Sequence, residues 1–173
     1  QGAFALRGSI ADAGGQVAFK CQVTDAAGQT YVNAAYAQPV GQAVRLAHQV
    51  ANDVVVKTTG KPTFFLAELV LVGTKGGTKE LYLADSSCQV IQQLTNDRTV
   101  LKPRWSPDNR LIAYTSYLKR WPDVFTIDRA TGARTQASFY PGLNSGGAIS
   151  PNGRAMALIL SKDGVSPDLY VQD

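Results

Sequence analysis

A small α+β domain followed by part of an all-β ring of four-stranded blades is the fold class this sequence predicts, and three observations predict it. The first is an internal repeat: Pro103-Arg104-Trp105-Ser106-Pro107-Asp108-Asn109-Arg110-Leu111-Ile112-Ala113-Tyr114 is echoed by Gly147-Ala148-Ile149-Ser150-Pro151-Asn152-Gly153-Arg154-Ala155-Met156-Ala157-Leu158, with Ser106 and Ser150 44 residues apart. A period of that size, carrying short apolar strands and Pro/Gly turns, is the mark of a β-propeller whose repeats each fold into one blade. The second is a strand that closes on aspartate in three copies: Leu81-Tyr82-Leu83-Ala84-Asp85, Val124-Phe125-Thr126-Ile127-Asp128 and Leu169-Tyr170-Val171-Gln172-Asp173. The third is a change of grammar, because residues 1–62 alternate with period two and then switch to helical spacing.

The amino-terminal elements come first. Phe4, Leu6, Gly8 and Ile10 alternate with other residues, and Val17, Phe19, Cys21 and Val23 do so again after the turn Asp12-Ala13-Gly14-Gly15, which is a hairpin pattern. A third strand over 29–36 follows the turn Asp25-Ala26-Ala27-Gly28. From Pro39 to Gly60 the set Val40, Val44, Ala47, Ala51, Val54, Val55 and Thr58 recurs at three and four residues and forms one helical stripe. Gly60 suits a C-terminal cap and Pro62 forbids continuation. The run Val54-Val55-Val56 weakens local helix propensity, so packing on the sheet is expected to hold that end. Domains are therefore expected at 1–62 and 63–173.

In the repeats, strands are expected over 65–72, 79–84 and 90–94 in a first, incomplete blade. The middle blade has an inner strand ending at Arg104-Trp105, a turn Ser106-Pro107-Asp108-Asn109 with proline at its second position, and strands over 111–116, 124–127 and 134–139. Asp128-Arg129-Ala130-Thr131-Gly132 reads as a hairpin turn in which the carboxylate accepts backbone N–H bonds and Gly132 takes a positive φ. The last repeat lacks its fourth strand. About two and a half blades cannot close a ring of four to eight, so the sequence reads as a piece of a longer protein or as a self-assembling part-propeller. Gln1 in place of an initiator methionine favours the first.

Composition narrows the function. With 45% apolar and 17% charged residues the chain is neither a disordered tail nor a membrane-spanning one. The net charge is +4, and Arg98, Lys102, Arg104, Arg110, Lys119 and Arg120 gather around the middle blade with Asp97, Asp108 and Asp123 among them. This is a solvated blade rim or a patch for an anionic partner; nucleic acid is not expected, because no reading module accompanies it. Cys21 and Cys88 fall in different domains, and only geometry decides whether they bridge. His48, the single histidine, lies on the helix as a packing or hydrogen-bonding residue, away from any nucleophile elbow. No catalytic constellation, metal site or cofactor is expected.

The helix Arg45-Leu46-Ala47-His48-Gln49-Val50-Ala51-Asn52-Asp53-Val54, ending in Thr58-Thr59-Gly60-Lys61-Pro62, resembles the last helix of the amino-terminal domain in the TolB family. Leu83-Ala84-Asp85, Trp105-Ser106-Pro107-Asp108, Ala113-Tyr114 and Ser150-Pro151-Asn152-Gly153 resemble that family's blade repeats in the same order. The resemblance covers essentially the whole chain. It implies a six-bladed propeller in a periplasmic, noncatalytic scaffold of the Tol-Pal envelope system, acting in outer-membrane integrity and cell division. Its implied partners are a Pal-like lipoprotein at the propeller mouth and other Tol proteins, with TolA met by an extreme amino-terminal segment. It implies a mouth built by loops over 97–103 and 141–147, with Leu101, Lys102, Pro103, Leu143, Asn144 and Ser145 as partner-binding residues. Where the family has Gly-His-Asn, this chain has Gly142-Leu143-Asn144, which removes one polar contact. Tyr117, Trp121 and Tyr140 are candidate anchors, Trp121 equally a blade-edge packing residue. Open blade faces are expected to favour self-association. The alternative is the regulatory propeller of a larger prolyl-peptidase-like hydrolase, since fold alone does not separate the two.

Overall fold

A computed structural model describes residues 2–162, 164 and 166–173. The chain divides into two compact units, Gln1–Ala67 and Glu68–Asp173.

The first unit is a three-stranded antiparallel sheet, β1 (Phe4–Asp12), β2 (Gln16–Asp25) and β3 (Thr30–Pro39), followed by a 3₁₀ turn (Val40–Gln42) and helix α1 (Ala43–Thr59). The register pairs Leu6 with Val23, Gly8 with Cys21 and Ile10 with Phe19, as two alternating runs on a common face require. Asp25 Oδ1 accepts the N–H groups of Ala27 and Gln29, each at 2.9 Å, and so closes the second turn. The helix ends at Gly60 in the left-handed region, its N–H on Val56 O at 2.8 Å.

The buried face of the helix meets the predicted stripe only toward its C-terminal end, where Val54 packs on the sheet. Val40 and Val44 are exposed, and the fully buried residue is Leu46. Val50 and Val54 pack with Phe19 and Tyr36 against the core of Cys21, Val23 and Val32. Leu46, Val50 and Val54 are spaced four apart, so they share a face that the 40/44/47/51 set only adjoins. A wholly apolar groove of about 540 Å³ runs between this helix and β1 and β2, past Leu6, Ile10, Phe19 and Leu46. Cys21 is buried and Cys88 exposed, and both are free thiols.

The second unit contains three antiparallel meanders. They are β4 (Leu69–Lys75), β5 (Thr78–Ala84) and β6 (Val90–Gln93); β7 (Val100–Trp105), β8 (Leu111–Ser116), β9 (Asp123–Asp128) and β10 (Arg134–Ser138); and β11 (Asn144–Ile149), β12 (Met156–Leu160) and β13 (Asp168–Gln172). The two Ser-Pro turns are equivalent. Asn109 N–H donates to Ser106 O and Gly153 N–H to Ser150 O, both at 2.9 Å. Each serine hydroxyl also accepts the N–H five residues on, at 2.8 Å from Leu111 and 2.9 Å from Ala155.

Apolar side chains fill the spaces between sheets. Leu81 of the first meander meets Val100, Ile112, Tyr114, Phe125 and Ile127 of the second. Val124 of the second meets Leu158 and Leu160 of the third. Gly147 sits where a Cβ would come 3.1 Å from Ala113 Cβ and 3.2 Å from Val124 Cγ1, at φ 103°, so close sheet approach and backbone conformation both require glycine. Side-by-side packing of flat sheets through both faces is propeller architecture.

Candidate functional site

At one end of the second and third sheets, connecting loops gather around the starts of the inner strands β7 and β11. The β6–β7 loop is held from beneath by Glu80 of β5, which is 2% exposed. Its carboxylate accepts Thr95 Oγ1 (2.6 Å), Asp97 N (2.9 Å) and Arg98 N (2.7 Å), so three donors of one loop converge on one buried anion. Asp97, also 2% exposed, turns away from the loop. It takes both arms of Arg134 at 3.0 and 2.7 Å and the Ser116 hydroxyl at 2.7 Å. The Arg134 guanidinium lies 5.7 Å from the centroid of the Tyr114 ring and 5.2 Å from that of Phe125. Burial works against its charge, yet the bonds to Asp97 prevail and hold its pKa above the ordinary arginine value. Burial pushes the Tyr114 hydroxyl up as well.

The β10–β11 loop is closed by Asn144, which is fully buried. Its Oδ1 accepts Ser138 Oγ and Tyr140 N, each at 2.8 Å, and its Nδ2 donates to Tyr140 O at 2.6 Å and Gly142 O at 3.4 Å. Between the sheets, Lys102 Nζ donates to Ser145 Oγ at 3.1 Å. Lys102 is exposed at φ 54°, at a bulge between Leu101 and Arg104 that shifts the β7–β8 register.

Of the six residues read from the sequence, the structure joins Lys102 and Ser145 directly, and Leu101 and Pro103 flank that lysine on β7. Leu143 is half-buried and donates its N–H to Ser161 Oγ at 2.7 Å. The expected loops over 97–103 and 141–147 are shorter than the sequence suggested. The inner strands already start at Val100 and Asn144, because bulges let Lys102 and Gly146–Gly147 stay in paired strands despite positive φ. Glu80 was missed. An acid inside an otherwise apolar, β-branch-poor strand, Glu80-Leu81-Tyr82-Leu83-Ala84, was the available signal. Two of the three aspartates that close strands have the turn role assigned to them: Asp128 Oδ1 accepts Ala130 N at 3.0 Å and Thr131 N at 2.9 Å, and Asp85 Oδ1 accepts Ser87 N at 2.9 Å. No cluster of three or more metal-ligating side chains occurs among the described residues. Among them, too, no helix is long and apolar enough to cross a membrane.

Residues 55–173 match the family model described as the TolB beta propeller domain. The chain belongs to the TolB family. It is 32% identical over 177 aligned residues to a protein TolB homolog of Chlorobium chlorochromatii, covering 99% of this chain and 39% of that protein. It is 37% identical over 127 residues to the Tol-Pal system protein TolB of Francisella tularensis, covering 68% and 29%. Among solved structures, TolB from Acinetobacter baumannii superposes with a TM-score of 0.84 at 25% identity, over 98% of this chain and 44% of that one. The chain thus spans less than half the length of the relatives it matches.

Proposed function

We propose that this chain is part of a noncatalytic, periplasmic scaffold of the Tol-Pal type, serving outer-membrane integrity and cell division. In this reading the first unit is an α+β domain and the three meanders belong to a six-bladed ring. The end of the ring bearing Lys102, Leu101, Pro103, Leu143 and Ser145 is the contact surface for a Pal-like lipoprotein, with other Tol proteins as further partners. The observation that carries the reading is the rigidity of the two mouth loops. Glu80 and Asp97 fix one from below and Asn144 fixes the other from inside, so backbone and exposed side chains are presented without an ordering cost on binding. Asn144 acts through loop shape and Lys102 through direct contact.

Calorimetric titration of the organism's own Pal-like lipoprotein, in delipidated form, against the intact parent protein tests this. Lys102→Ala is expected to weaken binding about fivefold and Asn144→Ala about tenfold. Unchanged affinity in both variants removes the mouth assignment, and absence of binding by the unaltered protein removes the partner.

A further inference from the structure

Successive antiparallel strands return to alternate ends of a sheet, so the β8–β9, β10–β11 and β12–β13 connections lie at the same end as the β6–β7 loop. Hydrogen bonds join them into one surface: Tyr117 N to Thr99 O at 2.9 Å, Asn144 N to Pro122 O at 3.1 Å, and Leu143 N to Ser161 Oγ at 2.7 Å. At this end of the sheet the large apolar side chains Leu118, Trp121 and Phe139 are 53%, 55% and 69% exposed, which folding alone does not require.

The exposed charge described around them is mostly positive. Arg98, Lys119, Arg120 and Lys162 are exposed. Lys119 bonds Gln136 Oε1 at 3.0 Å and lies 3.9 Å from Asp123, yet its side chain stays 59% exposed. The acids of this end among the described residues are Glu80, Asp97 and Asp123, all buried and hydrogen-bonded, and Asp168, exposed at the start of β13. Two of the cations already lie on aromatic rings. The Arg120 guanidinium is 5.6 Å from the Trp121 centroid, and Lys162 Nζ is 4.6 Å from that of Tyr140.

From this we infer that the surface around Trp121 docks an acidic segment of a partner protein, with apolar side chains placed between its carboxylates. Exposed tryptophan and arginine are the residue types that concentrate binding energy, and a predominantly positive rim favours the opposite sign. Rings with one face taken by a cation offer a sugar less to stack on and a carboxylate more to pair with, which favours an acidic protein over a glycan. The surface lies at the same end as the mouth loops, but its anchors Leu118, Trp121 and Phe139 lie outside the set Leu101, Lys102, Pro103, Leu143, Asn144 and Ser145, so the two assignments fail separately.

The test is titration of the full chain with a synthetic peptide of alternating glutamate and phenylalanine, read by calorimetry and tryptophan fluorescence. Two control peptides replace glutamate by lysine or phenylalanine by alanine. The acidic aromatic peptide is expected to bind, to weaken with added salt, and to lose about tenfold in affinity in Trp121→Ala and in Arg120→Glu. Both side chains are solvent-facing, so the melting temperature should hold. No binding, equal binding of the lysine peptide, or unchanged affinity in Trp121→Ala overturns the inference. Trp121-dependent co-sedimentation with phosphatidylglycerol vesicles, in place of peptide binding, overturns it in favour of a lipid surface. A dimer that Trp121→Ala dissolves overturns it in favour of a second copy.

Discussion

Asp108 and Asn152 occupy the same position in two successive turns and do the same work. Asp108 Oδ1 accepts Ser106 Oγ at 2.5 Å and Arg110 N at 3.1 Å, while Asn152 Oδ1 accepts Ser150 Oγ at 2.7 Å and Arg154 N at 3.1 Å. The geometry therefore needs an oxygen acceptor and not a charge. The charge adds a pH dependence, because the Ser106 hydroxyl, followed by the Arg110 N–H, holds the Asp108 carboxyl below its ordinary pKa. Stability from such a group is complete above the ordinary carboxylate range and is lost as pH falls through it. Asp108→Asn is expected to leave the neutral-pH melting temperature nearly unchanged and to make its decline toward about pH 3 shallower. Scanning calorimetry at the two pH values decides this, and an unaltered acid slope would contradict it. The turn itself was readable from Ser-Pro-Asp-Asn because all its bonds span two to five residues. Asn144 was readable only as a mouth residue implied by the family resemblance. That its amide faces inward depends on where Ser138 and Tyr140 return.

At the scale of elements, α1 is fixed to the sheet by packing and by a hydrogen bond from Tyr36. Tyr36 of β3 donates its hydroxyl to Asp53 Oδ2 at 2.9 Å, across the seam where Val50 and Val54 meet the core. Burial first, and Asp53 second, push the Tyr36 hydroxyl up to about 12. A tyrosine raised in the folded state contributes stability below its unfolded pKa, about 10, and that contribution disappears as pH rises from there through about 12. Tyr36→Phe is expected to cost about 1 kcal/mol at neutral pH and to lessen the alkaline loss of stability. Urea titrations at neutral and alkaline pH would show it, and equal losses in both proteins would assign the helix contact to packing alone. The helix and its Gly60 cap were legible from spacing and residue type. The buried face was legible only at Val54, since alternatives one residue apart are all apolar in Val-Ala-rich segments and the sheet selects among them.

For the whole molecule, the sheets are complementary up to the third. Val124 of β9 is fully buried against Leu158 and Leu160, whereas Leu169, the corresponding residue of β13, is 75% exposed and Val171 is 72% exposed. Apolar sheet surface of this kind is an association site. The 173-residue chain is expected to self-associate as its concentration rises, and Val171→Lys to shift it toward monomer. Sedimentation velocity over a concentration series measures this; a monomer throughout would show that the face is tolerated in water. The inter-sheet polar ties were beyond sequence reasoning. Arg134 lies 37 residues from Asp97, and Lys102 lies 43 from Ser145.

What the residues determined by themselves was local or periodic: the 44-residue recurrence, the Ser-Pro and aspartate turns, the capped helix, and hence the TolB-like blades. These follow from interactions within a few positions or from repetition, both of which are written along the chain. Only the tertiary structure decided that Glu80 grips the β6–β7 loop, that Asn144 is a loop clasp, and that Leu118, Trp121 and Phe139 stay exposed. Those outcomes depend on which strands lie side by side, and that is set by the collective packing of sheet faces, which no short stretch of sequence encodes.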